Sequence, residues 1–345
     1  MKIKIAERFR PFSHIPGTTC VLPQTTLAFT IFPTKIIVRN LKYSDSKIIN
    51  VLETESLKGS IEKFLVTCDL EQSYISVEGY ANKVFFKYRI IPCIDNTFSL
   101  QSQKSSIDWH STEPIIPAVS KNKLPETERL HLGITKKLDW ELVKRRLSLA
   151  EILPVWFYLG QQVPYEPIST ENSLLSLCEK SIDLRNKNDL VDNFKNVFLA
   201  GFNGILSPRL TDEDFYGYTW PPICSESALS LLNYGAKLIR KMFFYALHEN
   251  EFAILPLLPP EFHCGRILEL KCGIFGKLDL EWTKKLIRRL IFKVEKTSIL
   301  TFCFQKKIKY FRLTSKNQKT SIQMNNEKPF LFEEGDVYYF DKFEC

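Results

Sequence analysis

Among its 13 glycines the sequence holds no glycine-rich phosphate loop and no nucleophile elbow, and it nowhere carries a His-Glu-x-x-His pair. Nucleotide-dependent and metalloprotease chemistry therefore lack their usual residue signatures. No apolar export region opens the chain, where Lys2-Ile3-Lys4-Ile5-Ala6 runs straight into Glu7 and Arg8, and no later apolar run is long enough to span a bilayer. The expectation is a cytoplasmic protein without membrane contact. The nine cysteines (Cys20, Cys68, Cys93, Cys178, Cys224, Cys264, Cys272, Cys303 and Cys345) include no Cys-x-x-Cys pair. Scattered, odd in number and often within apolar runs, they read as reduced packing residues. His263, Cys264 and Cys272 fit no zinc-ligand spacing and have no evident fourth partner, so neither a metal nor any other cofactor is expected. The net charge of +8 is spread along the chain rather than gathered in blocks, as expected of a solvated surface.

The most informative stretch is 251–294. Phe252 and Ile254 form a short apolar run stopped by Pro256, and Pro259-Pro260 cannot sit in a central strand because proline has no N–H for the ladder. From Gly276 the pattern alternates at period two: Leu278, Leu280 and Trp282 lie on one face, Lys277, Asp279 and Glu281 on the other. Thr283-Lys284-Lys285 is a polar turn before a second strand from Leu286 to Val294, so the pair reads as a hairpin of a β-sandwich.

Leu255-Pro256-Leu257-Leu258-Pro259 and the strand Gly273 to Trp282, with its basic turn and second apolar strand, resemble the C-terminal β-domain of glycoside hydrolase family 95, the α-L-fucosidase and galactosidase group. The resemblance covers residues 251–294 and includes no catalytic group. It implies a C-terminal sandwich and, by position alone, an N-terminal one. Enzymes of that family hold their catalytic carboxylates in a toroid of about twelve helices, which at ~12 residues per helix and ~5 per loop needs at least ~200 residues. Residues 131–247 supply only 117, so the resemblance implies a reduced relative without a complete toroid.

Upstream, residues 1–122 carry short candidate strands at 2–9, 26–32, 35–39, 48–53, 63–68, 74–77 and 84–91, bounded by turn residues. Ser99 to Asn122, rich in Gln, Ser, Lys and Pro, reads as a linker. The period turns helical from Asp139, which can cap a helix burying Trp140, Val143, Leu147 and Ala150 until Pro154 ends or kinks it. Further helices are expected at 172–182, from Asp189 as cap to Gly201, and from Ser225 to about Leu247. The fold class is therefore α+β: an N-terminal antiparallel β-sandwich (1–122), a short central helical segment (131–247) and a C-terminal antiparallel β-sandwich (251–345).

A glycosidase needs two carboxylates ~5–9 Å apart, one of them protonated. The densest acidic site of the helical segment is Asp212-Glu213-Asp214, followed by Phe215, Tyr216, Tyr218 and Trp220. Acids beside flat rings suit a sugar, and the aromatics are candidate ligand-binding residues. The plainer alternative is an acidic surface turn. Asp279 and Glu281 are expected to face solvent, and Trp282 to lie in the core. Two basic clusters, Lys284, Lys285, Arg288, Arg289, Lys293 and Lys306, Lys307, Lys309, Arg312, fall on adjacent expected strands near Phe302, Phe304, Tyr310 and Phe311. They would suit single-stranded nucleic acid, but inside/outside alternation (Ile287/Arg288, Ile308/Lys309) explains them without it. The resulting expectation is a non-catalytic, carbohydrate-binding or scaffold protein, with a protein partner left open. A glycosidase using the 212–214 acids is the first alternative and a nucleic-acid-binding module the second.

Overall fold

A computed structural model describes residues 2–42, 47–114, 119–121, 125–165, 174–209 and 228–345. Ten strands come first: β1 (Phe12–Ser13), β2 (Thr18–Val21), β3 (Leu27–Ile31), β4 (Lys35–Asn40), β5 (Ile48–Glu53), β6 (Ile61–Asp69), β7 (Tyr74–Ala81), β8 (Val84–Pro92), β9 (Phe98–Lys104) and β10 (His110–Ser111). They form two five-stranded antiparallel sheets, β1-β6-β7-β8-β9 and β10-β5-β4-β3-β2. The sheets meet through their apolar faces: Phe29 of β3 stands edge-on to Phe98 of β9 at 5.0 Å. The Cys68 thiol of β6 points to the Val21 carbonyl of β2.

Two expectations fail here. Residues 2–9 pair with no strand. Their alternation is real, with Ile3 and Ile5 buried between exposed Lys2 and Lys4, but there is no ladder: the Lys4 and Glu7 carbonyls go to side chains and that of Phe9 accepts the Leu70 amide. Arg266 donates to the Lys4 carbonyl at 3.1 Å and Arg129 to that of Glu7 at 2.9 Å. The expected linker also contains β9 and β10, which pair with β8 and β5. Only Phe98 of β9 is buried; its outer residues are exposed because the strand is a sheet edge, which explains the polar composition.

Five helices are described between the sandwiches: α1 (Trp140–Arg146), α2 (Leu149–Gly160), α3 (Leu174–Asp183), α4 (Lys187–Gly201) and α5 (Leu229–Phe243). Asp139 caps α1 as expected, accepting from the Glu141 and Leu142 amides. The break comes at Leu147, in the left-handed region, and not at Pro154, which lies inside α2. Proline there forfeits a single helical hydrogen bond, and every residue of α2 is buried, so packing outweighs the loss. Asn186, not Asp189, caps α4, accepting from the Asp189 amide.

The helix α2 is the spine of the molecule. It crosses α5 so closely that a Cβ on Gly160 would lie 2.4 Å from the Leu232 carbonyl, and one on Gly235 would lie 2.2 Å from the Trp156 ring. Trp156 donates its indole N–H to that same Leu232 carbonyl at 3.2 Å and packs edge-on against Phe194 and Phe202. Two glutamines at its end clasp both sandwiches. Gln161 exchanges a pair of hydrogen bonds with the Glu128 backbone (2.8 and 3.0 Å), and Gln162 takes the Ser73 hydroxyl and gives its amide to Leu70.

A short strand before the helices, β11 (Arg129–His131), already belongs to the C-terminal sandwich. After β12 (Phe202–Asn203) and β13 (Ser207–Pro208), which pair with each other, the chain adds β14 (Phe244–His248), β15 (Glu251–Ile254), β16 (Cys264–Lys271), β17 (Gly276–Thr283), β18 (Leu286–Val294), β19 (Ser298–Cys303), β20 (Tyr310–Ser315), β21 (Ser321–Asn325), β22 (Phe330–Phe332) and β23 (Val337–Glu344). The final helix expected to reach Leu247 thus stops at Phe243, where the backbone turns extended. Seven strands run β11-β16-β17-β18-β23-β20-β21, all antiparallel, and four run β14-β15-β19-β22, with β15 and β19 parallel. The hairpin expected around residues 284 and 285 is β17–β18. Phe302 of β19 fills the space between the sheets, 5.4 Å from Phe292 and 5.6 Å from Phe340. One continuous apolar core, from Phe9 to Phe340, runs through both sandwiches and the helices between them. Among the described residues no helix is long and apolar enough to cross a membrane.

Candidate functional site

The sequence-predicted site residues Asp212, Glu213, Asp214, Phe215, Tyr216, Tyr218 and Trp220 lie outside the described residues. Two other places gather polar chemistry: a cleft at the junction of the three regions and a groove in the C-terminal sandwich.

The junction cleft is lined by Glu7 and Phe9 of the N-terminal segment, His131 at the end of β11, Lys136 and Leu138 of the following loop, and Glu151, Pro154 and Val155 of α2. Glu7 accepts the Thr135 hydroxyl at 2.8 Å. Burial works to raise its carboxyl, but that hydrogen bond, its own backbone N–H, His131 and Arg266 together hold it below the usual carboxylate range. Burial drives His131 down, against the pull of Glu7. The imidazole is therefore neutral at pH 7, and its 3.5 Å approach to Glu7 is not an ion pair there. Glu151, almost fully buried, is gripped by Arg146 through both oxygens, with Nε at 2.9 Å from Oε1, and Lys136 stands 3.7 Å away. The cleft holds about 40 Å³, room for water and not for a sugar ring. Both carboxylates have cationic or hydroxyl partners, and neither is arranged to carry a proton to a substrate.

A similar economy governs Asp279 and Glu281. They share a face of β17 opposite Leu278, Leu280 and Trp282, as the alternation requires, but they do not face solvent. Both are more than nine-tenths buried. Asp279 accepts the Glu269 amide at 2.9 Å and pairs with Lys293 at 3.2 Å. Glu281 lies between Arg266 (2.9 Å) and Arg289 (2.7 Å), which cover it. Long arginine stems over a sheet face bury acids that a period-two pattern alone would leave wet. Trp282 is a core residue as expected, its indole N–H on the Phe262 carbonyl at 3.0 Å.

The groove lies where the outer strands of the two C-terminal sheets approach one another, β20 and β21 on one side and β22 on the other. Ser315, Gln318, Thr320 and Glu333 supply polar groups, and Phe330 and Tyr338 supply rings, around about 200 Å³. Its floor is fixed by Asp336, fully buried, which accepts the Ser315 hydroxyl (2.5 Å) and the Asn317 and Val337 amides (3.1 and 2.6 Å). That carboxylate ties the loop after β20 to the turn before β23, so the walls are set before anything binds. Gln318 bridges the rim to Glu333 at 3.2 Å. Tyr338 accepts the Glu333 amide at 3.2 Å; burial, reinforced by the Asp336 and Glu333 carboxylates, pushes its phenol up. It stays a neutral donor. No feature of the sequence marks this groove, because its residues come from four strands and two turns and join only through strand pairings such as β20–β21, β20–β23 and β19–β22.

The cysteines of the described residues are free, and burial pushes the Cys20 thiol up to about 12, leaving it an apolar packing group. Cys264 touches His263 at 3.6 Å, whereas Cys272 is fully buried. Among the described residues no three His, Cys, Asp or Glu side chains come together as a metal site. Comparison of the sequence with protein-family models returns no match, and comparison with curated proteins returns none either.

Proposed function

We propose that this chain is a non-catalytic carbohydrate-binding protein on a reduced scaffold of the glycoside hydrolase family 95 type, holding one sugar residue in the C-terminal groove. The observation that carries the reading is the groove itself: two rings and four polar side chains around about 200 Å³, below the ~300–1,000 Å³ of drug-sized sites. Sugars are held by that combination, with flat carbon faces on rings and hydroxyls on amide, hydroxyl and carboxylate groups. Gln318 and Glu333 can each exchange their mutual hydrogen bond for one to a sugar hydroxyl. The non-catalytic part rests on the acids of the described residues: half-buried Glu7 and buried Glu281 are both held below the usual carboxylate range, the reverse of what a glycosidase acid needs.

The test is ligand-observed NMR against a panel of neutral and acidic mono- and disaccharides, run beside hydrolysis of aryl α-L-fucosides and galactosides. The expected result is binding of at least one sugar, lost in Gln318→Ala/Glu333→Ala, with no turnover. Binding unchanged in that double variant would place the sugar elsewhere. Turnover lost in the Asp212→Ala/Glu213→Ala/Asp214→Ala variant would establish the glycosidase alternative.

A further inference from the structure

Several charges of this protein are paired with an acid of another element. Arg10 holds Asp69 at 2.7 Å, Arg129 holds Glu71 at 2.6 Å, Arg240 holds Glu128 at 2.9 Å and Arg312 grips Asp341 through both oxygens at 2.7 Å. Other exposed cations, among them Lys316, Lys319 and Lys328, also have no carboxylate within ion-pair reach among the described residues, but one end of the C-terminal sandwich gathers six on two segments. At that end, opposite the groove, the β17–β18 turn presents Lys284 and Lys285, the start of β18 presents Arg288, and the loop before β20 presents Lys306, Lys307 and Lys309. All six are exposed, and among the described residues none has a carboxylate within ion-pair reach. Glu327 and Glu344, on the flanking turn and strand, pair with none of them.

The two basic segments are not on neighbouring strands, since β23 separates β18 from β20. A side chain brings them together. Gln305 accepts the Ile287 amide at 3.1 Å and donates to the Lys285 carbonyl at 2.5 Å, so the loop is fastened to the turn. Asn326 fastens the other side of the loop, accepting from the Phe304 amide (3.0 Å) and donating to the Ile308 carbonyl (3.1 Å). Lys284 and Lys285 both occupy the left-handed region (φ 52° and 61°), where a tight hairpin turn favours Asn and Gly. Two lysines are thus held side by side against both local preference and mutual repulsion. Directly after Lys309, Tyr310 at the start of β20 presents an exposed ring. From it the outer face of β20 leads past Arg312 to a shallow depression of about 210 Å³, bordered by Gln323, Lys342 and Glu344.

We infer that this end of the sandwich binds single-stranded nucleic acid, with the six cations following the phosphate backbone, one base stacked on Tyr310 and the next in the depression. The exposed ring and base-sized hollow beside the cations favour a nucleic acid over an acidic polysaccharide. The inference is independent of the sugar groove, which lies at the other end of the same strands.

The test is fluorescence anisotropy of a labelled oligothymidylate of about 20 nucleotides with the full chain, titrated across salt. The expected log–log salt slope is about −0.7 per contacted phosphate, and Lys284→Gln/Lys285→Gln/Lys306→Gln/Lys307→Gln should flatten it by about 3. Tyr310→Ala should weaken binding about tenfold at fixed salt and leave the slope alone. Absence of binding at about 50 mM salt overturns the inference, as does an unchanged slope in the quadruple variant. Heparin competing as well as unlabelled oligonucleotide, with Tyr310→Ala silent, overturns it in favour of an acidic polysaccharide.

Discussion

The junction of the three regions and the outer end of the C-terminal sandwich use charge in opposite ways. At the junction, Glu128, Glu151 and Glu281 are buried and each is covered by arginine. At the outer end, six cations stand in water without an acid. A buried charge must be neutralised because desolvation costs more than folding can spare, whereas an exposed charge is nearly free to keep. Charge in the first place therefore reports on architecture. In the second it enters no ion pair among the described residues and is assigned to the proposed ligand.

The contrast is broken most severely at Glu128. This carboxylate accepts from Arg240 of α5 and from the Lys271 amide of β16, joining the helical layer to the seven-stranded sheet. Glu128→Ala leaves the Arg240 Nε–H and the Lys271 amide without this acceptor, Arg240 keeping only the Lys271 carbonyl, and a loss of about 3 kcal/mol is expected in urea unfolding. A loss below about 1 kcal/mol would mean that water replaces the carboxylate and the junction is looser than the geometry implies. Next comes the α2–α5 crossing, where no charge is involved. Gly235→Ala puts a methyl into the Trp156 ring, and overpacking of about 1–3 kcal/mol should follow. Gly335→Ala has open space around it but a φ of 77°, so its smaller cost isolates backbone strain from packing.

The acid limb of the stability curve sharpens the comparison further. Burial works to raise the Glu281 carboxyl, but the hydrogen bonds and charges of Arg266 and Arg289 outweigh it and leave the folded value depressed. The sign then follows: the carboxylate's contribution is present above the unfolded value of about 4.3 and is lost as pH falls through the lower folded value. Glu281→Gln should cost roughly 1 kcal/mol at pH 7, discounted because both arginines are partly exposed, and this deficit should vanish at strongly acidic pH. A deficit constant with pH would assign the effect to packing.

The architecture was legible where one face of an element is wet. The strands of the β17–β18 hairpin, the alternation at Ile287/Arg288 and the cap at Asp139 follow directly from pattern, whereas Ile308/Lys309, expected as an inside/outside pair of a strand, lie in the loop before β20. It was illegible where partners are distant. Residues 2–9 alternate like a strand, yet the Glu7 and Lys4 carbonyls are taken by arginines 129 and 266. Pro154 reads as a stop, yet complete burial of α2 overrides it. The groove is invisible for the same reason: Ser315, Phe330 and Tyr338 become neighbours through strand pairing across the sandwich, and sequence periodicity describes only one element at a time.

The smallest expected effect tests the other side of the comparison. If the six outer cations serve no fold, removing four of them should leave stability unchanged. Lys284→Gln/Lys285→Gln/Lys306→Gln/Lys307→Gln breaks no ion pair and touches no core residue, so a change within about 0.5 kcal/mol is expected. Its sign should be toward stability, because four like charges on two clamped loops repel one another in the folded state and are farther apart in the unfolded one. The gain should shrink as salt is added, since exposed charges are screened over about 10 Å at 0.1 M. A destabilisation above about 1 kcal/mol that persists in high salt would show that the lysine stems pack on the sandwich, and would move these residues from the ligand side of the comparison to the structural one.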